Sequence, residues 1–305
     1  LGFPYVMGQT TGNWELTPGT PTYGSSAGKQ FIAKLRPDLS AFVYSTVFGT
    51  GSVLPNISPT AFLVDRCENV YVSGWGGTVG SGYQSAGTSG LPLTGDALDP
   101  TTDGNDFYFF VLRKDAVSQL YGTFFGQTGG LTDHVDGGTS RFDQNGVIYQ
   151  GVCANCGGQA TFPTTTGAWA TIRPNSASCN LGMIKLAMNL AGVGSDVESA
   201  IEGVARDTAG CVPLTVEFTD QVRNAESYIW DFGDGTPQVG PLPAATGYTQ
   251  THTFNTVGTY QVMLIAIDPA TCNLRDTSYI NIRVGDLRAV LDFTVRKLDP
   301  CTAFT

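Results

Sequence analysis

The stretch Tyr228–Gly235 (YIWDFGDG) decides the fold of the C-terminal part of the chain. It has the pattern of a strand that ends in a tight turn, because an apolar and aromatic run is followed at once by aspartates and glycines. Two further strand-like segments come later, Thr251–Phe254 (THTF) and Gly258–Val262 (GTYQV). Their aromatic and β-branched residues favour β-structure. The sequence therefore predicts an all-β region here.

Together these three segments resemble the PKD domain, an immunoglobulin-like β-sandwich. The family signature is WDFGDG, then a histidine-aromatic pair, then G-x-Y-x-V, and all parts occur in this order. The resemblance implies structural roles for Trp230, Asp231, Gly233, Asp234, Gly235, His252 and Tyr260. It places Trp230 in the sandwich interior and packs His252 near the acidic turn. Such domains are typically spacers and adhesion modules of extracellular proteins, although a fold alone does not establish a function.

The first 190 residues contain an internal repeat. Each copy has a strand with a central tyrosine and a glycine just after it, then a polar loop, then a second strand. The marker tyrosines are Tyr5, Tyr71 and Tyr149, at offsets of 71 − 5 = 66 and 149 − 71 = 78. Long, loosely spaced copies of this kind are typical of propeller blades with inserted loops.

The copies resemble bacterial SBBP repeats, which form β-propeller blades. Matching features include Phe162–Thr165 (FPTT) and the Gly167–Ala168 pair, whereas Cys67–Asn69 and Trp75 depart from the pattern. The predicted fold class is therefore all-β, with propeller-like blades followed by an immunoglobulin-like sandwich. The predicted domains are 1–190 (blades, truncated at the N-terminus), 191–285 (PKD domain) and 286–305 (the beginning of a second PKD-like domain).

The second PKD-like domain is predicted from a recurrence of short segments. Cys211–Thr215 (CVPLT) recurs as Cys301–Thr305 (CTAFT), at an offset of 301 − 211 = 90. We therefore expect the chain to begin and end inside repeats, as a fragment of a longer protein with tandem modules.

Seven cysteines are an odd number, which in an exported chain indicates a partner elsewhere. We assign Cys301 as the residue whose partner lies outside the chain. Cys211 and Cys272 are predicted to form a disulfide of the PKD region, which would contribute on the order of 4 kcal/mol. The other four are predicted to form disulfides of unknown pairing: Cys67, Cys153, Cys156 and Cys179.

The Cys153-x-x-Cys156 motif has two possible interpretations. It could belong to a zinc or redox site, but the sequence offers no second CxxC and no neighbouring histidine to complete a tetrahedral set. Structural disulfides in an oxidising compartment are therefore favoured over metal or redox chemistry.

Composition and charge exclude several function classes. The 16 Lys and Arg residues are scattered and the formal net charge is −10, which argues against nucleic-acid binding. No apolar run approaches the roughly 20 residues of a membrane-spanning helix.

Ser140, His134 and Asp136 could form a hydrolytic triad, but they are too close in sequence to be assumed to converge, and no G-x-S-x-G elbow is present. The chain is therefore predicted not to be an enzyme.

Acidic residues next to glycines raise the possibility of calcium binding. Asp133, Asp136 and Asp143 form one candidate ligand set, and Asp231 and Asp234 of the WDFGDG turn form another. Hard oxygen ligands in flexible loops suit Ca²⁺. The alternative is that these aspartates cap tight turns.

Tryptophans could bind sugars, because a flat indole stacks on the apolar face of a pyranose ring. Trp14 and Trp75 are the candidate glycan-binding residues. Trp169 follows the Gly-Ala pair of its repeat, where packing is the expected role.

The combined pattern resembles large cell-surface and secreted proteins of Bacteroidota, many of them associated with gliding motility and type IX secretion. It implies a non-enzymatic extracellular fragment that acts as an adhesin or structural spacer. Two alternatives stay open: a glycan-binding accessory region of a secreted hydrolase, and a subunit of an extracellular filament or secretion-machine assembly. The implied partners are other surface proteins or extracellular glycans.

Overall fold

The computed structural model describes residues 2–80, 82–129, 131–136, 138–158, 160–171 and 178–286. The chain divides into two compact units, Leu1–Gly192 and Val193–Thr305. Strands dominate the described part of both units, which confirms the all-β prediction. The predicted second PKD-like domain falls on residues outside the described ones, except for Asp286, and so does Cys301.

Thirteen strands are described in the first unit: β1 Tyr5–Gln9, β2 Tyr23–Gly24, β3 Gln30–Leu35, β4 Phe42–Gly49, β5 Ser58–Val64, β6 Val70–Trp75, β7 Thr78–Val79, β8 Tyr83–Gln84, β9 Phe107–Leu112, β10 Gln119–Phe125, β11 Ser140–Phe142, β12 Val147–Ala154 and β13 Asn180–Ala187. Two short 3-10 turns cover Lys114–Ala116 and Cys156–Gly158.

These strands form three main sheets, one for each copy of the repeat. The first sheet has the order β1-β3-β4-β2, the central sheet β5-β6-β9-β10 and the third sheet β11-β12-β13, while β7 and β8 form a separate hairpin. Neighbouring strands are antiparallel, except that β2 runs parallel to β4. The marker tyrosines Tyr5, Tyr71 and Tyr149 lie in β1, β6 and β12. Each repeat copy is therefore built as its own sheet.

The central sheet is buried on both faces, since all six residues of β9 are buried. One face, with Phe110 at its centre, packs into a cluster with Phe48 of the first sheet, and these two rings stack at 4.7 Å. The opposite face, which includes Phe109, packs into a cluster with Ile148 of the third sheet. Successive strand residues point to opposite faces, so one continuous apolar run supplies two cores. The three sheets therefore stack as layers, and the described residues do not close a ring, so the propeller prediction stays a prediction.

The second unit contains nine described strands and one short helix: β14 Val197–Ile201, β15 Val204–Ala205, β16 Ala209–Cys211, β17 Leu214–Asp220, β18 Ser227–Asp231, β19 Val239–Pro243, α1 Ala244–Gly247, β20 Thr249–Phe254, β21 Gly258–Ile267 and β22 Arg275–Gly285. No helix in the described residues is long and apolar enough to cross a membrane.

Two sheets of the second unit, β15-β14-β17-β20 and β16-β22-β21-β18-β19, enclose a shared core. The first strand of this unit, β14, lies next to β15 and β17 in the smaller of the two sheets. Trp230 lies fully buried in this core, as the PKD resemblance implies, and its indole N–H donates a hydrogen bond to the Gly247 carbonyl at 2.8 Å. The immunoglobulin-like sandwich is therefore confirmed.

The predicted Cys211–Cys272 disulfide is wrong. Cys211 is a free thiol, while Cys272 is bonded in a disulfide. Cys211 pairs with Gly285 at the end of β22, whereas Cys272 precedes the start of that strand at Arg275. The strand is 11 residues long. At roughly 3.3 Å per residue its two ends are about 33 Å apart, far beyond the Cα separation of about 7 Å that a disulfide allows.

Candidate functional site

Cys153 and His134 are neighbours in space because their backbones form an isolated antiparallel bridge. The His134 N–H donates to the Cys153 carbonyl at 3.2 Å, and the Cys153 N–H donates back to the His134 carbonyl at 2.8 Å. The bridge joins the polar segment that contains His134 to the CxxC motif. The sequence-based statement that no histidine neighbours this motif is therefore wrong.

Cys156 and Cys179 form a disulfide, with an S–S distance of 2.04 Å. The Sγ atoms of Cys153 and Cys179 and a ring nitrogen of His134 all lie within 4.8 Å of one another. These four residues, His134, Cys153, Cys156 and Cys179, are called the sulfur cluster below. Cys67 is also disulfide-bonded, as predicted. Cys153 is instead a free thiol, so its predicted disulfide is wrong.

The Cys153 thiol is held in its protonated form. Burial is the largest cause that raises its pKa to about 11, and a hydrogen bond to Asp136 and the negative charges of Asp136 and Asp133 add to it. The Cys153 S–H donates to the Asp136 Oδ2 at 3.3 Å. The thiolate is thus disfavoured because it would form in a partly desolvated place beside a carboxylate.

His134 is buried and fixed by its surroundings. Its Nδ1 lies 2.9 Å from the Thr132 carbonyl, which can only accept, so Nδ1 is the donor. The other ring nitrogen, Nε2, lies 3.7 Å from the Asp136 Oδ2. The indole of Trp75 packs against the imidazole, with ring centroids 5.6 Å apart. In the neutral imidazole Nε2 therefore carries the lone pair.

The three residues of the considered hydrolytic triad do not converge. Ser140 is buried in β11, and its hydroxyl accepts a hydrogen bond from the Gln150 amide at 3.0 Å. Gln150 also donates to the Ser73 hydroxyl at 2.8 Å. Among the described hydrogen bonds none joins Ser140 to His134, so Ser140 serves the packing between sheets.

The first proposed calcium set is spread over three environments. The side chain of Asp136 is 77 % exposed and faces the sulfur cluster. Asp143 caps a turn, since its Oδ1 accepts the Asn145 and Val147 N–H groups at 2.9 and 3.0 Å. Asp133 is fully buried. Within the described part of the chain, the one group of potential ligands with atoms inside 4.8 Å contains none of these aspartates.

Asp133 has its own unusual chemistry. Its Oδ2 accepts the Gln127 N–H at 2.6 Å, while its buried Oδ1 has no hydrogen-bond partner among the described residues. Burial raises the pKa of this carboxyl to about 7, and the charge of Asp106 adds to the shift. Burial likewise raises the pKa of Asp106 to about 6. The two carboxyls therefore repel each other when both are ionised.

The WDFGDG turn is organised by its own aspartates. Asp231 accepts the Gly233 N–H at 2.9 Å, and Asp234 accepts the Thr236 N–H at 3.1 Å. Gly233 has a φ of 74°, and a Cβ there would lie 2.4 Å from a backbone oxygen, so this position requires glycine. The second proposed calcium set therefore performs the alternative turn-capping role.

His252 links this turn to β20. Its Nε2 lies 2.7 Å from the Asp234 Oδ2, and its ring stacks on Phe232 at 4.0 Å. The location near the acidic turn agrees with the PKD resemblance.

The tryptophans are placed differently from the sequence-based prediction. Trp75 is only 6 % exposed, because it belongs to the central sheet, which is covered on both faces. Trp14 stacks on Phe31 at 3.5 Å, and its N–H donates to the Ser45 hydroxyl, so one face of its indole is occupied. Trp169 is instead fully exposed. Trp75 is therefore wrong as a sugar platform.

Trp169 borders a cavity of about 740 Å³ on the third-sheet side of the first unit. Its apolar lining includes Phe125, Phe162, Leu181 and Met183. Leu181 and Met183 are 82 % and 73 % exposed on the outer face of β13. The cavity is therefore an open groove, and these apolar side chains are exposed to solvent.

With this geometry in place, comparison with known proteins gives one family match. Residues 198–284 match the PKD domain family. The match covers β14 to β22 almost completely and coincides with the sandwich. No curated protein matches the chain significantly.

Similar solved structures include two extracellular domains from B. thetaiotaomicron. The extracellular domain of a proposed one component system is 11% identical, with 84% of this chain and 33% of that chain covered and a TM-score of 0.23. The extracellular domain of a proposed hybrid two component system is 10% identical, with 90% and 39% covered and a TM-score of 0.24. The chain thus spans less than two fifths of these structures, and the TM-scores are too low to support an argument about its fold.

Proposed function

We propose that this chain acts outside the cell as a non-enzymatic region of a surface protein, serving as an adhesion module or structural spacer. The PKD match and the Cys156–Cys179 disulfide support an extracellular location, since disulfides persist in oxidising compartments. The SBBP resemblance of the repeats supports a place among the large surface proteins of Bacteroidota.

The parallel pairing of β16 with β22 is the observation that carries the spacer role. Ala209 pairs with Arg283 and Cys211 pairs with Gly285, and the Arg283 N–H donates to the Thr208 carbonyl at 2.8 Å. β16 lies near the start of the PKD domain and β22 at its end. Tension between the two ends of the domain therefore loads these bonds along the strands, and several must break together. Such an arrangement resists extension.

Single-molecule pulling of the full chain tests this role. The disulfides are reduced so that the force passes through the backbone. Unfolding of Val193–Asp286 should appear as a length gain of about 300 Å, from roughly 3.5 Å per residue. Arg283→Pro removes one clamp hydrogen bond, worth about 1 kcal/mol, and should raise the unfolding rate of this domain about fivefold.

Arg283→Ala is the matched control, because it keeps the backbone N–H and alters only an exposed side chain. It should unfold at the wild-type force. An Arg283→Pro domain as resistant as the wild type, or a wild-type domain without measurable resistance, would contradict the spacer proposal.

Glycan binding by the first unit is the second candidate function. It is supported by the exposed indole of Trp169 beside the apolar cavity. We expect the wild-type chain to bind immobilised oligosaccharides, and Trp169→Ala to weaken binding about tenfold, the equivalent of about 1.4 kcal/mol.

Tyr279→Ala is the control for this measurement, because Tyr279 is an exposed aromatic residue of the other unit. It should leave binding unchanged. This function would be contradicted if the wild-type chain bound none of the immobilised oligosaccharides, or if Trp169→Ala bound them as tightly as the wild type.

A further inference from the structure

The sulfur cluster places a free thiol beside a disulfide. Cys153 is unbonded, while the Cys156–Cys179 disulfide brings the Cys179 Sγ within 4.8 Å of the Cys153 Sγ. Three sulfur atoms so close together meet the first condition for thiol–disulfide exchange, in which a thiolate attacks one sulfur of a disulfide.

The position of Cys153 is set by the fold and not by a loose loop. The backbone bridge to His134 fixes it on one side, and β12 pairs it with Leu181 of β13 on the other. Leu181 lies two residues after Cys179, so the β12–β13 pairing itself brings the thiol to the disulfide. The proximity is therefore a consequence of strand register.

Two groups next to the Cys153 thiol affect its deprotonation in opposite directions. The Nε2 of His134 is free to accept a proton, because Nδ1 donates to the Thr132 carbonyl. Asp136 accepts the Cys153 S–H, and its negative charge disfavours the thiolate. His134 can thus accept the Cys153 proton, whereas Asp136 makes deprotonation less favourable.

We propose that the sulfur cluster is an internal thiol–disulfide exchange site, in which Cys153 displaces Cys156 from Cys179. The Cys153 proton passes to His134, and the thiolate sulfur forms a bond with the Cys179 Sγ. The Cys156–Cys179 bond breaks, and Cys156 leaves as a thiolate that takes up the proton. One disulfide and one thiol are present before and after, so no external oxidant or reductant takes part.

A metal ion is a less suitable occupant of the cluster. Cys179 cannot act as a thiolate ligand while it is bonded to Cys156, and metal-binding cysteines must be deprotonated. Exchange uses the oxidised state that the structure shows.

The first experiment removes the displaced sulfur. In Cys156→Ser, we expect Cys153 and Cys179 to form a disulfide in air-oxidised protein, seen by mass spectrometry of digests after alkylation. Cys211→Ser is the matched control, because it removes the free thiol of the other unit, and it should retain Cys156–Cys179. If Cys153 and Cys179 are both alkylated in Cys156→Ser, the proposal is wrong.

The second experiment uses the wild-type protein, so that it does not depend on a variant that folds poorly. The native protein is incubated with iodoacetamide at pH 7 or pH 9, and the labelled cysteines are followed with time. Label should accumulate on Cys156 as well as on Cys153, because alkylation traps the thiol that exchange releases, and it should do so faster at pH 9. Label confined to Cys153 at both pH values overturns the proposal.

Asp136→Asn tests whether the Asp136 charge slows the exchange. Removal of the charge favours the thiolate, and each unit by which the Cys153 pKa falls should speed exchange about threefold, since tenfold more thiolate is offset by its lower nucleophilicity. Exchange in Asp136→Asn at or below the wild-type rate would contradict the role given to Asp136.

Discussion

Asp234 connects two separate parts of the PKD signature through one hydrogen-bond contact, since its Oδ2 lies 2.7 Å from the His252 Nε2. Burial of its carboxyl would raise its pKa, but hydrogen bonds from Thr236 and His252 outweigh burial and lower the pKa from 3.8 to about 2. A pKa that is lower in the folded state than in the unfolded state means that the ionised form stabilises the fold. This stabilisation is present above about pH 4 and is lost as the pH falls towards 2.

We predict that Asp234→Asn destabilises the PKD domain by about 1 kcal/mol at pH 7, an amount that allows for partial solvent screening of the pair. The variant should also lose the part of the acid sensitivity between pH 4 and pH 2 that this carboxyl causes. Amide hydrogen exchange of β21 measures both effects without contributions from the first unit. Asp231→Asn is the control: it alters the same turn but should keep the Asp234 acid response. Equal acid sensitivity in Asp234→Asn and wild type would show that the hydrogen bonds of the Asp234 carboxylate do not contribute.

At the scale of elements, β9 is the strand on which the first unit depends. Five of its residues enter two different clusters, one shared with the first sheet and one with the third, while Val111 enters a smaller cluster with Tyr71 and Ala191. A large side chain removed from either face leaves a cavity that its neighbours fill only in part. Truncation of a side chain on either face of β9 should therefore lower the free energy of unfolding. In a strand with one solvent-facing side, only truncations on the buried face would do so.

We predict that Phe109→Ala and Phe110→Ala each destabilise the first unit by about 3–5 kcal/mol. Both phenylalanines are fully buried. Urea unfolding followed by hydrogen exchange of the β6 amides measures the change. Val53→Ala is the control, since this side chain is 85 % exposed, and it should change stability by less than about 0.5 kcal/mol. A loss seen for only one of the two phenylalanines would contradict the two-faced role of β9.

At the scale of the whole molecule, the sequence predicts local features well and long-range contacts poorly. The PKD signature is read from contiguous segments, so the acidic turn and the buried Trp230 both follow from it. The repeat likewise predicts that each copy forms strands, and each copy does form its own sheet. These features depend on periodicity and turn chemistry, which are local properties.

The errors share one cause, which is that strand register is not visible in the sequence. Cys211 and Cys272 lie at opposite ends of β22, and Trp75 is covered by sheets that lie far away in sequence. His134 contacts the CxxC motif through a backbone β-bridge to Cys153, which no local sequence pattern predicts. The motif itself was the available signal for the sulfur cluster, but Cys179 joins it only through the pairing of β12 with β13.

The double burial of the central sheet also constrains how this chain can change over generations. In a strand with one exposed face, every second position can be substituted without loss of core packing. β13 is such a strand, since its exposure alternates along the sequence. β9 has no such silent positions, because each of its six side chains is enclosed. We therefore expect substitutions in the first unit to be tolerated mainly in its outer sheets and loops, where new recognition surfaces can arise without disturbing the middle layer.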